Sequence, residues 1–150
     1  MTEARVQEIV AEWLRREGYS VTEKQKSDAG VEVDLVARSA RDAWVIEVKG
    51  DYDRNSAQYN VNFDTGMGQL LKSVSVLDGA TKYAIAVPFT RTERRERLSY
   101  RRILPKYARS LAFERLNIHL LLVRDDESVE VIAPNRVGSF VVSIGSTVSG

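Results

Sequence analysis

Three residues on two neighbouring apolar runs have the types and spacing to do chemistry. The first run, VEVDLVA, carries Asp34, and the second, WVIEVKG, carries Glu47 and Lys49. Side chains alternate between the two faces of a strand. Val31, Val33, Leu35 and Ala37 should therefore share one face of the first run, and Trp44, Ile46 and Val48 one face of the second. Opposed residues of an antiparallel pair lie on the same side, so the apolar sets must match. Pairing Leu35 with Ile46 and Val33 with Val48 matches them across a short turn around Ala40–Arg41, and sets Asp34 directly across from Glu47. Facing carboxylates in a half-buried sheet repel. Either one is protonated or something cationic sits between them. Lys49 supplies one positive charge, and a divalent metal would supply two more. Mg2+ takes one or two carboxylates plus water and phosphate oxygen, which suits this geometry. The plain alternative is an exposed sheet face with solvated charges, since short E-x-K strings are common by chance. Helices expected before and after the hairpin argue that this face is covered.

The rest of the chain narrows the chemistry. There is no cysteine and one histidine, His119, among 150 residues. Thiolate metal sites, cysteine nucleophiles, multi-histidine zinc sites and His-dependent triads are therefore disfavoured, leaving carboxylates, Lys, Arg and a hard cation. His119 alternates with Ile118 and Leu120 in an apolar strand and reads as a core or edge residue. A net charge of +1 with 43% hydrophobic residues indicates neither disorder nor a bulk polycation. No apolar run reaches membrane-spanning length. The N-terminus lacks a secretory pattern, and the absence of cysteine fits a reducing cytoplasm.

The elements that must position these residues follow from periodicity. Thr2 suits an N-cap, Val6, Ile9, Val10, Trp13 and Leu14 form a helical stripe, and Gly18 can end that helix. Glu3 falls at the edge of the stripe. A strand is expected around Tyr19–Lys24, then the hairpin. The stretch from Gly50 to Gly66, GDYDRNSAQYNVNFDTG, reads as a long polar loop. A second helix is expected in MGQLLKSVSVLDG, ending near Gly79, and KYAIAVP reads as a buried strand. RTERRERLSYRRILPKYARSLAFERLN reads as helix, broken at Pro105, with Leu98, Leu104, Leu111 and Phe113 inward. IHLLLV and VEVIAP give two strands, and SFVVSIG another. This order predicts an α/β fold: one domain over residues 1–134, with a mixed central sheet flanked by helices on both faces, and a C-terminal strand or tail over 135–150.

A first helix with an acidic residue, Asp34 in the second strand, Glu47-Val48-Lys49 ending the third, and Gln69 on the next helix together resemble the PD-(D/E)XK nuclease superfamily. The resemblance covers roughly Thr2 to Val87, with Val33 standing where the family name has proline. It implies a restriction-endonuclease-like fold and metal-dependent endonuclease cleavage of DNA. In that scheme Asp34 and Glu47, with the backbone carbonyl of Val48, would coordinate Mg2+ or Mn2+. Lys49 would orient or deprotonate the attacking water, Glu3 would ligate directly or through water, and Gln69 would position Lys49 or a phosphate oxygen.

Between Arg91 and Arg109 lie Arg91, Arg94, Arg95, Arg97, Arg101, Arg102, Lys106 and Arg109 against Glu93 and Glu96, a local excess of six positive charges. In a nearly neutral chain this is a candidate phosphate-backbone footprint, with Tyr100 and Tyr107 available to stack or hydrogen-bond. A solvated amphipathic helix is the simpler reading of the same residues. DNA is the expected partner, RNA is not distinguished from it, and a homodimer would let two sites address two strands. Repair, recombination, restriction and mobile-element roles stay open. The competing function is a non-catalytic nuclease-like subunit that binds nucleic acid or serves assembly.

Overall fold

The computed structural model describes residues 1–26, 30–51, 56–89 and 99–148. Six strands form one sheet in sequence order: β1 (Ser20–Lys26), β2 (Glu32–Arg38), β3 (Ala43–Val48), β4 (Thr81–Pro88), β5 (Ile118–Val123) and β6 (Val129–Ile132). The first three form an antiparallel meander, β3, β4 and β5 run parallel, and β6 returns antiparallel. Helix α1 (Glu3–Arg16) covers one face, and α2 (Ser56–Ser73) carries the β3-to-β4 crossover on the other. The protein is thus an α/β fold with a mixed sheet flanked on both sides.

Helix α1 starts where its cap predicts: the Thr2 hydroxyl accepts from the Arg5 amide at 3.1 Å. It ends at Gly18, whose φ of +94° glycine adopts without strain. Val6, Ile9, Val10 and Leu14 are buried against Leu35, Ile46, Val48 and the small Ala84 and Ala86. Burying one such side chain stabilises the fold by roughly 1.5–3 kcal/mol. The hairpin register is the expected one, with Leu35 opposite Ile46. Val33 departs from the simple alternation. It packs in the cluster on the α2 side while Leu35 and Ala37 pack on the α1 side, and it lies beyond the last β2–β3 pair.

Several expectations need correction. Helix α2 begins eleven residues before Met67, inside the stretch read as a polar loop, and it ends at Ser73 rather than near Gly79. Polar composition hid its buried stripe of Tyr59, Phe63, Met67 and Leu70, spaced as one helix face. The basic stretch is no long helix where it is described. Residues 99–116 form two 3-10 turns, Tyr100–Arg102 and Leu104–Tyr107, and the short helix α3 (Ala112–Arg115). Pro105 opens the second turn, as proline can at a helix start. Leu104 and Phe113 are buried as expected, but Leu111 is 62% exposed; Leu98 lies outside the described residues. SFVVSIG is helical, not a strand. It belongs to α4 (Val137–Val148), preceded by a 3-10 turn at Pro134–Arg136, and Val137, Val141 and Ile144 are buried at helical spacing in the α2-side core. Core packing overrides the β-propensity of Val and Ile here. No described helix is long and apolar enough to cross a membrane.

Candidate functional site

The site forms where two strands part. The β2–β3 ladder stops at the Leu35–Ile46 pair, while β3 stays joined to β4 through the Lys49 amide and the Ala86 carbonyl at 2.9 Å. In the gap, the Asp34 carboxylate takes the place of a backbone acceptor: its Oδ2 accepts from the Val48 amide at 2.7 Å. Glu47 and Lys49 end β3 on the α2 face and are only 4% and 7% exposed. The Lys49 ammonium lies 3.6 Å from Glu47 Oε1 and donates to Gln69 Oε1 of α2 at 3.4 Å. Asp34, Glu47 and Lys49 are therefore brought together as the strand register implied, and Gln69 joins them as the resemblance implied.

Burial is the main force on Glu47. It pushes the carboxyl up to about 8, the nearby Asp34 charge adds to the rise, and Lys49 only partly opposes it. Glu3, on the first turn of α1, is also raised by burial, with Lys49 lowering it and Asp34 raising it. Glu3 thus stands within electrostatic range of the pair. Among the described residues, however, no group of three or more Asp, Glu or His side chains converges as a metal cage.

Two residues missed by the sequence reading, Gly50 and Gly66, and one misread by it, Tyr100, shape this site. A Cβ on Gly50 would stand 2.3 Å from the Glu3 amide nitrogen and 2.7 Å from its Cα. Only glycine lets the end of β3 meet the start of α1, and that contact places Glu3. A Cβ on Gly66 would stand 2.6 Å from Lys49 Cε, so this glycine makes the channel for the lysine stem. Gly66 and Gln69 share a helix face, a signal readable only once α2 is known to start before them. Tyr100, fully buried, donates its hydroxyl to the Gly50 carbonyl at 2.7 Å and accepts from Asn62 at 3.0 Å. This corrects its expected role: the ring is unavailable for stacking on nucleic acid and instead holds the backbone just after Lys49. Tyr107 is partly buried, packed edge-on against Phe63 and Phe113, and bonded to Asp64; burial raises its phenol.

Arg91, Arg94 and Arg95 lie outside the described residues, as does Arg97. Arg102 and Lys106 are exposed, and Arg101 lies 4.4 Å over the Phe89 ring. His119 is buried against Trp44, ring centres 4.8 Å apart, with Nδ1 3.3 Å from the Tyr83 carbonyl oxygen. Burial lowers it below the ordinary histidine range. It packs away from the acidic pair, as a core residue.

The donor set fits a hard divalent cation. A carboxyl as buried as Glu47 ionises beside a second, half-buried one only with positive charge at hand. Both offer oxygen, and a two-carboxylate site leaves its other positions to backbone, water and phosphate.

This architecture, a mixed six-stranded sheet between helical layers, is shared with known proteins. A family model described as "Uncharacterised protein family UPF0102" matches residues 6–73, the span from α1 through α2. The fold is similar to that of an XisH family protein from Nostoc punctiforme, with a TM-score of 0.56, 18% identity, and 85% of this chain and 98% of that one covered. It is likewise similar to an fdxN element excision controlling factor protein from Anabaena variabilis, with a TM-score of 0.55, 19% identity, and 83% and 95% coverage. At these identities the likeness is one of fold. No curated protein matches the chain in sequence.

Proposed function

We propose that this protein is a metal-dependent nuclease that hydrolyses DNA phosphodiesters. The observation that carries the reading is the meeting of half-buried Asp34 with buried Glu47 and Lys49 in the notch where β2 leaves β3. The resemblance of this constellation to PD-(D/E)XK nucleases supports it, and so does the family-model match across the same elements. Asp34, Glu47 and the Val48 carbonyl would hold Mg2+ or Mn2+, which supplies water activation and charge neutralisation at the phosphate when bound. Lys49 orients the attacking water and, in a water-poor pocket, stabilises charge developing on phosphate oxygen. Gln69 holds the ammonium in place, and Glu3 accepts from metal-bound or bulk water at the rim. Arg101, Arg102 and Lys106 contribute positive charge for the phosphate backbone.

One fold relative is titled an excision controlling factor. That title favours a second reading, in which the chain is a non-catalytic nuclease-like subunit that binds nucleic acid or serves assembly in the control of excision, without cutting. Incubation with supercoiled plasmid, single-stranded DNA, branched DNA and RNA, in Mg2+, Mn2+ or EDTA, separates the two. The nuclease reading expects metal-dependent cutting that falls at least about 100-fold in Glu47→Ala and in Lys49→Ala. Binding without cutting, unaltered by either substitution, would establish the regulatory reading instead.

A further inference from the structure

A second place at the carboxyl end of the parallel strands has chemistry left over. Among the described residues, Nη1 of Arg124 is the only buried side-chain nitrogen or oxygen without a hydrogen-bond partner. Buried polar groups are nearly always paired, and a charged donor left unpaired is costly, so the exception calls for an acceptor. Nη2 of the same guanidinium is committed to Glu130. The guanidinium lies 5.1 Å from the centre of the Phe89 ring, and that of Arg101 lies 4.4 Å from it. One ring thus carries two cations, an arrangement that an anion between or beside them stabilises. An open cleft of about 410 Å3 adjoins them, lined by Phe89, Arg124, Asp125, Asp126 and Ser128. Asp126 feels the Arg124 charge but leaves Nη1 without a hydrogen bond, its Oδ1 being taken by the Ser128 amide at 3.0 Å and hydroxyl at 2.6 Å.

Position gives the cleft its meaning. Phe89 directly follows β4 and Arg124 directly follows β5, as Lys49 follows β3. Because the three strands are parallel, all three residues stand at one edge, where open α/β sheets bind ligands. β5 is two strands from β3, about 10 Å at ordinary strand spacing. We propose that Arg124, with Arg101 and the Phe89 ring that carries both, forms an anion site for a phosphate of the nucleic-acid strand, flanking the phosphate held at Asp34, Glu47 and Lys49. The phosphate chemistry stands on Arg124 itself; only the assignment of that phosphate to a substrate strand rests on the nuclease reading.

The test uses isotope-labelled full-length protein in EDTA, so that no cleavage intervenes. Inorganic phosphate, acetate and a 5′-phosphorylated oligothymidine are titrated in turn while the Arg124 Nε–H and Ser128 amide resonances are followed. Both resonances should shift saturably with phosphate and with the oligonucleotide, and not with acetate at equal concentration. Affinity for phosphate and for the oligonucleotide should fall about tenfold in Arg124→Gln. Because the wild-type resonances report directly, poor folding of the Arg124 variant does not blunt the test. A silent Arg124, or an equal response to acetate, would overturn the phosphate site. A response to phosphate without one to the oligonucleotide would overturn its assignment to the strand. A protein that binds both but cuts nothing keeps the site and removes the nuclease reading.

Discussion

At each end of strand β3 an acid meets a lysine, Asp42 with Lys82 of β4 at the start and Glu47 with Lys49 at the finish, and the two ends behave oppositely. At its start, Asp42 receives the Lys82 ammonium at 2.8 Å, the Tyr19 hydroxyl at 2.7 Å and the Ser39 hydroxyl at 3.1 Å. Lys82 first, and then these hydroxyls, hold Asp42 below the usual carboxylate range. Lys82 is itself placed 5.1 Å over the Trp44 ring. At the other end, Glu47 has a lysine at 3.6 Å but also a second carboxylate and almost no solvent, and it is pushed up to about 8. The same residue types thus give a finished ion pair at one end and an unbalanced charge at the other. The difference lies in donors and burial. Asp42 gathers a lysine and two hydroxyl donors, whereas Glu47 has one lysine at 3.6 Å, a neighbouring carboxyl and little solvent. Two carboxyls beside a single lysine are the arrangement on which the proposed Mg2+ or Mn2+ site rests.

The most damaging way to break the contrast is to detach α1 from the unbalanced end. Gly50→Ala would drive a Cβ into the Glu3 and Thr2 backbone, with nearest atoms at 2.3 to 2.9 Å. Backbone cannot swing aside as a side-chain tip can, so a loss of about 3 kcal/mol is expected. Urea unfolding should show the midpoint falling at unchanged slope. A midpoint equal to that of the wild type would mean that α1 does not rest on Gly50.

The next effect sets the two ends against each other directly. Glu47 has a higher value folded than unfolded, so the folded protein binds more protons between about pH 4.5 and 8. The protonated acid is accommodated, and stability drains away as pH rises through that window. Above pH 7 His119, lowered by burial, is already neutral and adds no slope. Glu47→Gln should therefore match the wild type only near pH 4.5, where both states hold the proton, and exceed it increasingly as pH rises, by an amount of the order of a kcal/mol or more at pH 9. Mg2+ should narrow the gap by stabilising the wild type alone. Asp42→Asn should have the opposite sign, losing about 1 kcal/mol at pH 9 because Lys82 loses its partner at a partly exposed site. If the two substitutions moved stability the same way, the contrast between the ends would not hold.

The sequence made part of this legible. Matching apolar sets was enough to pair Leu35 with Ile46, because a slip by one residue would turn every buried side chain outward. Asp34, Glu47 and Lys49 came together for that reason. The Thr2 cap and Gly18 terminus were local chemistry and read correctly. Tyr100 was misread because tyrosines among arginines suggest a nucleic-acid surface, and only the chain path through two 3-10 turns buries it beside Gly50. The α4 helix was misread because Phe140, Val141, Val142 and Ile144 favour a strand locally, and the core behind Val137 and Val141 decides otherwise. Gly50 and Gly66 could not be read at all, since their importance is the distance to residues far along the chain.

Gly66→Ala sharpens the comparison with the smallest change in stability. The added methyl would meet Lys49 Cε at 2.6 Å, Ile85 Cδ1 at 3.2 Å and Lys49 Cγ at 3.3 Å. The closest of these belongs to a flexible stem that can move, unlike the backbone facing Gly50. Alanine in place of glycine in a helix interior also favours α2 by roughly 0.5–1 kcal/mol, which offsets the crowding. Net stability should stay within about 1 kcal/mol of the wild type. The lysine must nevertheless leave its channel, lengthening its contacts with Glu47 and Gln69. Freed from that partial compensation, Glu47 should titrate higher than in the wild type, which carboxyl carbon resonances followed against pH would report. Under the nuclease reading the same variant should cut DNA poorly while melting normally. An unshifted Glu47 with full cutting would show that the lysine stem does not depend on the space Gly66 leaves, and that the unbalanced end is less tightly built than its geometry implies.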